Sequence, residues 1–146
     1  MSRDIVREFI ARCDEAGRGG TADPYALLDE NVNVMVNGTT ALSGQFPNLE
    51  CVRSILVNTA KARIRSAHFS VTEFVGSGSR LAALLMITAQ TVDGRTYNQE
   101  QKPCGAVFTV VDGKIRAIQL YPLTSQIETV LFHKTFVSNG AVTRKE

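Results

Sequence analysis

The sequence predicts an α+β fold in which helices pack against one face of a curved antiparallel sheet. Helical patterns occupy the first half of the chain, and two Asp-Gly pairs, Asp93-Gly94 and Asp112-Gly113, separate long apolar runs at 81–92, 95–111 and 114–123. Aspartate and glycine tolerate the positive φ angles of tight hairpin turns, so we expect these runs to form a meander of three strands. A long twisted sheet with N-terminal helices on its concave face curls into a cone-shaped open barrel, and the mouth of the cone is a natural ligand pocket.

Length and charge limit the class of protein. The 146 residues suit a single domain, which we assign to residues 1–135, with 136–146 as a C-terminal tail. The 16 basic and 14 acidic residues are interspersed, so no nucleic-acid partner is expected. No apolar stretch is long enough for a membrane span, and the N-terminus lacks the apolar core of a signal peptide. We therefore expect a cytoplasmic protein with no membrane partner.

The three cysteines, Cys13, Cys51 and Cys104, are far apart in the sequence. No two of them, and no cysteine with a histidine, have the spacing of a zinc site. We expect them to be small buried hydrophobic residues in a reducing compartment, with no metal and no cofactor.

Two helices are predicted before the first strand. Apolar residues recur at helical spacing over residues 2–16, and Gly17 ends that pattern. Asp23 and Pro24 have the residue types of a helix cap and a first helical position, so they predict a short second helix.

The next segment predicts a strand and a third helix. Valines alternate with Asn33, Met35 and Asn37, which is typical of a strand with two different faces. Residues 38–46 are rich in turn-forming types. Asn48 can cap a helix that we expect to run to about Arg65.

A further strand is predicted over Ala67 to Val75, before the meander begins. After the meander, Ser125 and Glu128 have the spacing of a capping box, which predicts the start of a short C-terminal helix. From about Phe136 onward the chain is expected to be frayed.

Four segments together resemble the SnoaL-like polyketide cyclases of the nuclear-transport-factor-2-like, ketosteroid-isomerase-like superfamily. Their order and spacing carry the resemblance over residues 5–132. The segments are Val34–Gly44, Gly94–Glu100, Asp112–Ile115 and Leu120–Thr124. The resemblance implies a cystatin-like cone with an apolar cavity, and usually a homodimer, but a fold alone does not define a function.

The resemblance also shows which catalytic groups are missing. It places the aspartate base of ketosteroid isomerases at Met35 and their oxyanion-stabilising acid near Ala106. The aspartate in the last strand of the cyclases corresponds to Leu123. The Asp-Arg-Asp set of related epoxide hydrolases has no counterpart within the predicted strands. Steroid isomerisation and epoxide hydrolysis are therefore not expected.

Two ionisable residues remain as catalytic candidates, Glu100 and His68. If Glu100 points into an apolar cone, burial would raise its pKa and make it a usable base. If it points outward, it is a solvated residue paired with Lys102 or Arg95. His68 opens a strand and is either a second base or a surface residue.

Five residues are substrate-binding candidates: Tyr25, Met35, Asn37, Asn98 and Tyr121. Tyr25 would lean over the mouth of the cone, or pack in the core. The polar groups beside Met35 suit either a ligand cavity or a solvent-facing strand. Tyr121 would be either a pocket donor or part of a dimer contact.

Two functions stay open. One is a cavity protein that binds or acts on an apolar ring-containing carbonyl or hydroxyl compound, by proton transfer of the isomerase, cyclase or dehydratase type. The alternative is a non-catalytic ligand-binding or dimerisation module. In either case we expect a homodimer through the outer sheet face, because strand 81–86 is apolar on both faces and no helix is left to cover the outer one. A protein-transport adaptor is a third, weaker possibility.

Overall fold

A computed structural model of the chain describes residues 1–134 and the backbone of 137–138 and 141–142. The first half comprises α1 (Ser2–Gly17), a 3₁₀ turn (Pro24–Leu27), β1 (Leu28–Val36), β2 (Gly44–Phe46), α2 (Leu49–Cys51), a π-helical stretch π1 (Val52–Val57) and α3 (Asn58–Lys61). The second half comprises β3 (Ile64–Val75), β4 (Arg80–Thr91), β5 (Thr96–Tyr97), β6 (Cys104–Val111), β7 (Lys114–Tyr121), α4 (Thr124–Gln126) and π2 (Ile127–Leu131). The predicted tail contains β8 (Val137–Ser138) paired with β9 (Ala141–Val142); its other residues lie outside the described ones.

Seven strands form one curled sheet in the order β2-β1-β7-β6-β4-β3, with β5 pairing beside β4. The predicted α+β cone with an N-terminal helix packed on the sheet is confirmed. The prediction of a purely antiparallel sheet is wrong, because β1 runs parallel to β7, with Val34 opposite Ile118. The alternation of side chains along a strand shows its two faces but not the direction of its neighbour, so sequence patterns could not reveal this pairing.

Two predicted elements are shorter in the structure. The long strand 95–111 is interrupted after Tyr97, because Asn98 and Gln101 have left-handed φ angles of 60° and 57° and leave the ladder. The third helix ends at Lys61 and does not reach Arg65. The chain enters β3 directly after that helix and pairs with β4, so sheet pairing overrides helix propensity there.

The two Asp-Gly pairs form different turns. Asp112 and Gly113 both have positive φ, 51° and 78°, as a tight hairpin between β6 and β7 requires. At the other pair only Gly94 has positive φ, 87°. There the turn is wider and is held by the Thr91 hydroxyl, which accepts a hydrogen bond from the Arg95 N–H at 2.8 Å. The β4–β5 connection is therefore not the predicted two-residue turn.

Of two helix caps predicted from the sequence, one forms and the other does not. Asn48 caps α2 as predicted, its side chain accepting from the Cys51 N–H at 2.8 Å. The predicted capping box does not form, because α4 begins at Thr124 and no side chain caps it. Strand β2 was not predicted, because its three extended residues lie among turn-forming residue types.

The core lies between α1 and the concave face of the sheet. Val6 and Ile10 are buried against residues that alternate along the strands, among them Leu81 and Phe108. Phe9 meets the Phe108 ring edge to face at 6.5 Å between centroids. The apolar stripe of α1 and the inward-facing residues of the strands thus bury one another, and this contact holds α1 on the sheet.

Candidate functional site

The two predicted catalytic residues lie outside the cone. The Glu100 side chain is 77% exposed and pairs with Lys102 Nζ at 3.1 Å. His68 is 61% exposed at the edge strand β3, with its Nδ1 3.5 Å from an Asp14 oxygen. The structure places Glu100 in the solvated alternative, because the chain leaves the sheet at Asn98 and carries the following residues outward.

Tyr25 lies in a third region, on a surface groove of about 870 Å³ beside π1 and α3. The Arg53 guanidinium stacks on its ring, 4.8 Å from the centroid. Burial raises the pKa of the Tyr25 hydroxyl, and the Arg53 charge offsets part of this rise. Glu100, His68 and Tyr25 therefore do not converge on a common space.

Met35, Asn37 and Tyr121 point away from the interior. Along β1, Val34 and Val36 are buried on the concave face, whereas Met35 lies on the other face opposite Gln119. Asn37 is exposed at the end of the strand, and Tyr121 is 43% exposed. These positions do not support ligand contacts within the cone; Met35 and Tyr121 belong to the outer sheet face.

Asn98 is buried, and its polar groups are bonded within the protein. Its Nδ2 donates to the carbonyls of Ile87 and Lys102, each at 2.8 Å, and its Oδ1 accepts from the Lys102 N–H at 2.9 Å. Its own N–H donates to Gln126 Oε1 at 3.0 Å. Asn98 therefore ties the 98–102 loop to β4 and to α4, and its side-chain polar groups are engaged within the protein.

A second group of buried residues forms a cluster apart from the main core, and we call it the interior cluster. It draws on the 37–43 loop, β3, β4, β5 and π2, and consists of Leu42, Ala67, Ala89, Tyr97, Ile127 and Leu131. Leu56, Phe69, Ile87 and Leu123 pack around it.

Tyr97 is the polar member of the interior cluster, and its importance was not predicted. Burial, with a smaller contribution from the nearby Cys104 and a partial offset by a hydrogen bond with the Leu123 backbone, raises the pKa of its hydroxyl to about 12. The phenol therefore stays protonated at neutral pH and can donate a hydrogen bond. The sequence contained one signal for the importance of Tyr97, because the residue lies in one of the segments that resemble the cyclases. In the structure it pairs with the buried Ala89.

Residues 124–134 lie over the interior cluster, and we call them the C-terminal cover. Arg95 Nη1 donates to the carbonyls of Thr129 and Val130 at 2.9 and 3.3 Å. Arg63 Nη1 donates to the Leu131 carbonyl at 3.4 Å. Guanidinium groups at a helical carboxyl end satisfy carbonyls that lack partners and complement the negative end of the dipole, so these two arginines hold the cover in place.

Neither metal ligands nor membrane spans stand out in the described chain. Within residues 1–134, no three His, Cys, Asp or Glu side chains come close enough to hold a metal ion. None of the described helices has the length and apolar character needed to cross a membrane.

Solved structures similar to this one share the nuclear-transport-factor-2-like fold. An NTF2-like protein from Burkholderia pseudomallei superposes with a TM-score of 0.71 at 18% identity, over 89% of this chain and 96% of that one. TerC, co-crystallised with polyporic acid, gives 0.73 at 13% identity, over 90% and 98%. A SnoaL-like polyketide cyclase from Jannaschia gives 0.67 at 12% identity, over 88% and 92%.

These similarities confirm, as a likeness of fold, the resemblance drawn from the sequence. A protein with a ketosteroid isomerase-like fold is similar as well. No protein-family model matches the chain, and no curated protein matches it. At these identities, what is shared is the fold.

Stability is expected to fall above pH 9, because two buried acids keep their protons in the folded state. Burial, aided by the charge of Asp14, raises the pKa of Cys13 from 9.0 to about 12, and Tyr97 rises from 10.0 to about 12. Folded-state pKa values above the unfolded ones give stability that is complete below pH 9 and lost as pH rises towards 12.

Urea denaturation at several pH values would measure this loss, at about 1 kcal/mol per pH unit for each group. Cys13→Ala should reduce the slope between pH 9 and 10, where the unfolded thiol ionises ahead of the unfolded Tyr97 phenol. Between pH 6 and 8 the difference between the variant and the wild type should stay constant, which serves as the internal control. An unchanged slope in the variant would contradict this prediction.

Proposed function

We propose that the protein is a non-catalytic binding module for a small apolar, ring-containing carbonyl or hydroxyl compound. The ligand would occupy the interior cluster beneath the C-terminal cover, with the Tyr97 hydroxyl donating to its oxygen. The buried, neutral hydroxyl of Tyr97 among apolar side chains carries this proposal. Apolar walls with a few placed polar groups are typical of small-molecule sites.

Binding is favoured over catalysis because the predicted bases Glu100 and His68 are exposed and lie outside the interior cluster. Burial raises the pKa of Tyr97 and of Cys104, so both stay protonated at neutral pH. The carboxylate nearest in sequence to the cluster residues of the cover is Glu128, whose Oε1 is buried without a hydrogen-bond partner. A proton-transfer enzyme needs a group whose pKa lies near the working pH.

Ligand entry would require the C-terminal cover to open. Ile127 and Leu131 of the cover are buried in the interior cluster, so a ligand would have to displace their side chains. The Arg63 and Arg95 hydrogen bonds join the cover to segments 34 to 68 residues away, but they are not part of the sheet ladder, so breaking them leaves the sheet intact. Covers of this kind open on microsecond to second timescales.

The direct test measures binding of polyporic acid, a dihydroxyquinone with two phenyl rings, by isothermal titration calorimetry. Tyr97→Phe should weaken binding by about 2- to 10-fold, since it removes one net hydrogen bond and keeps the ring. Tyr121→Phe makes the same chemical change on the outer sheet face and should leave affinity unaltered. Equal affinities for wild type and Tyr97→Phe would overturn the assignment of Tyr97.

The catalytic alternative has its own readout. A cyclic ketone would be incubated with the protein in D₂O, and exchange of the hydrogens beside its carbonyl followed by NMR. We expect exchange at the rate of buffer alone. Faster exchange that is lost in Glu100→Gln or His68→Ala would restore the predicted bases and reject the non-catalytic proposal.

We infer that two copies associate through the outer sheet face. The register aligns Met35, Gln119, Val107, Ala82 and Val75 in one row across this face, with Leu84 beside it at 37% exposure. Among the described residues no helix covers this side. An exposed face that is largely apolar apart from Gln119 marks an association site.

Sedimentation velocity at micromolar concentration should show a dimer, and Leu84→Glu should shift it towards monomer, because a charge placed in an apolar interface is costly to bury. Val92→Glu introduces the same charge at a side chain that is 60% exposed and lies beyond the end of β4. This control should remain dimeric. A wild-type monomer would remove the dimer from the proposal.

The compartment and the domain limits remain proposals. All three cysteines are free thiols in the structure, which supports the reducing cytoplasm. Residues 1–135 are proposed as one domain, since the described core and cover both contain residues packed against the same sheet.

A further inference from the structure

A second groove, of about 780 Å³, runs between α1 and the edge strand β3, away from the interior cluster. Its floor is apolar and is formed by Ile10, Phe69, Val71 and Phe74. Asp14 closes the helix against the strand there, because its Oδ1 accepts a hydrogen bond from the Phe69 N–H at 2.9 Å. The groove thus has a fixed shape, set by a helix and a strand and not by loops.

Two arginines one helical turn apart stand at one end of this groove. The guanidinium carbons of Arg3 and Arg7 lie 5.5 and 5.0 Å from the centroid of the same ring, Phe74. Arg3 is held further by its Nε, which donates to the Gly76 carbonyl at 2.8 Å. Stacking on a ring leaves the in-plane N–H groups of a guanidinium free to bind an anion.

These two cations differ from the other arginines of α1. Arg12 pairs with Glu8 at 2.9 Å, and Arg18 pairs with Asp14 at 3.2 Å. Within residues 1–134, no carboxylate lies within 4.0 Å of Arg3 or Arg7. Two like charges over one ring repel each other, and an anion between them would relieve that repulsion.

The two ends of the groove differ in charge. Asp14, Glu15 and Arg18 line the end away from Phe74, where Asp14 is engaged by Arg18 and by the Phe69 N–H. At the Phe74 end, two arginines outnumber the single carboxylate, Glu73. An anionic head is therefore favoured at the Arg3 and Arg7 end and disfavoured at the other end.

We propose that this groove binds an amphipathic organic anion, in which a carboxylate or sulfonate lies between Arg3 and Arg7 and an aromatic or aliphatic body lies along the apolar floor. Guanidinium forks suit the planar geometry of a carboxylate. The Phe74 ring and the aliphatic floor supply the apolar contact. The site is independent of Tyr97 and of the ligand proposed for the interior.

The probe is 8-anilinonaphthalene-1-sulfonate, followed by its fluorescence, with dodecanoate as a competitor. Arg3→Gln combined with Arg7→Gln should weaken binding by about tenfold or more, because two charge-assisted contacts are lost. The control combines Arg12→Gln with Arg116→Gln, which removes the same charge from two arginines that pair with Glu8 and Asp29. It should change affinity by less than about twofold.

Two further measurements separate this groove from other apolar surfaces. The Nε–H NMR signals of Arg3 and Arg7 should shift on titration with dodecanoate, and Tyr97→Phe should bind both anions as the wild type does. The uncharged analogue N-phenyl-1-naphthylamine should bind much more weakly than the sulfonate. Equal affinity of the double variant and its control, or equal binding of the uncharged analogue, would overturn the proposal.

Discussion

Replacing Asn98 with alanine is expected to lower the free energy of unfolding by about 3–5 kcal/mol, the largest effect that we predict for a single substitution. The amide of Asn98 satisfies the carbonyls of Ile87 and Lys102 and the N–H of Lys102, at 2.8 to 2.9 Å. Asn98 itself is only 2% exposed, so water cannot replace the lost partners without opening the loop. A buried polar group left without a partner costs about 1–3 kcal/mol.

The backbone of Asn98 adds to this cost, and a matched control separates the two effects. Its φ of 60° lies in the left-handed region, which asparagine tolerates better than alanine. Gln101 has nearly the same φ, 57°, but its side chain is exposed. Gln101→Ala therefore removes an exposed side chain at a left-handed position, without the particular tolerance of asparagine for that region, and should cost less than about 1 kcal/mol.

Urea denaturation of the two variants measures the difference, and Asn98→Asp refines it. Aspartate keeps the oxygen that accepts from Lys102 but loses both donated bonds, so its stability should also fall well below that of the wild type. If Asn98→Ala were no less stable than Gln101→Ala, the hydrogen bonds around Asn98 would not hold the loop. Because Tyr97 precedes Asn98, ligand binding in the interior cluster should weaken as the loop loosens.

Gly17→Ala is expected to destabilise the fold by about 1–3 kcal/mol, although alanine is ordinarily the better helical residue. A Cβ at Gly17 would lie 2.5 Å from the Ala67 carbonyl oxygen and 3.1 Å from its carbon, both of them backbone atoms of β3. Backbone atoms within a sheet cannot move aside as a flexible side chain can. The end of α1 must therefore shift away from the strand.

The control for this prediction is Gly78→Ala. A Cβ at Gly78 would meet no atom within 4 Å, and Gly78 is not among the glycines with positive φ. The substitution should be neutral or stabilise slightly, by about 0.4–1 kcal/mol, because it lowers the entropy of the unfolded chain. Thermal and urea denaturation would compare the two variants; equal stabilities would show that α1 does not approach β3 as closely as described.

The close approach at Gly17 also protects an edge. Strand β3 is the last in the sheet order, and an exposed edge can pair with another chain. On that side, the carboxylate of Asp14 accepts a hydrogen bond from the Phe69 N–H, and Gly17 lets the helix approach the Ala67 carbonyl. Gly17→Ala should therefore increase aggregation on heating as well as lower stability, and light scattering would detect it.

Much of the fold was predictable because it depends on local patterns. Helical periodicity predicts α1, the alternating valines predict β1, and the φ preferences of Asp112 and Gly113 predict the turn. Each of these signals lies within one short segment of the sequence. The parallel partner of β1, the interruption after Tyr97 and the three residues of β2 were not predicted. Each of these depends on a neighbour that is distant in the chain.

The candidate site was predicted less well than the fold, for a related reason. Glu100 and His68 were chosen because carboxylates and imidazoles carry chemistry, yet the direction of a side chain depends on where its strand ends. Tyr97 and Asn98 are adjacent in sequence, and the interruption at Asn98 separates a buried phenol from the exposed Glu100 two residues later. Sequence patterns cannot place such an interruption without the hydrogen bonds that form there.

The amino-acid sequence by itself determined the class of fold, the faces of most strands and the absence of carboxylates at the positions that the resemblance assigns to catalysis. These follow from residue types, helical and strand periods, and turn preferences. Only the tertiary structure decided that Asn98 is buried and bonds the 98–102 loop to β4, that Tyr97 is the polar member of the interior cluster, and that Arg3 and Arg7 share one ring. Those arrangements depend on contacts between segments that are distant in the chain, and the pattern of one segment alone does not show which contacts form.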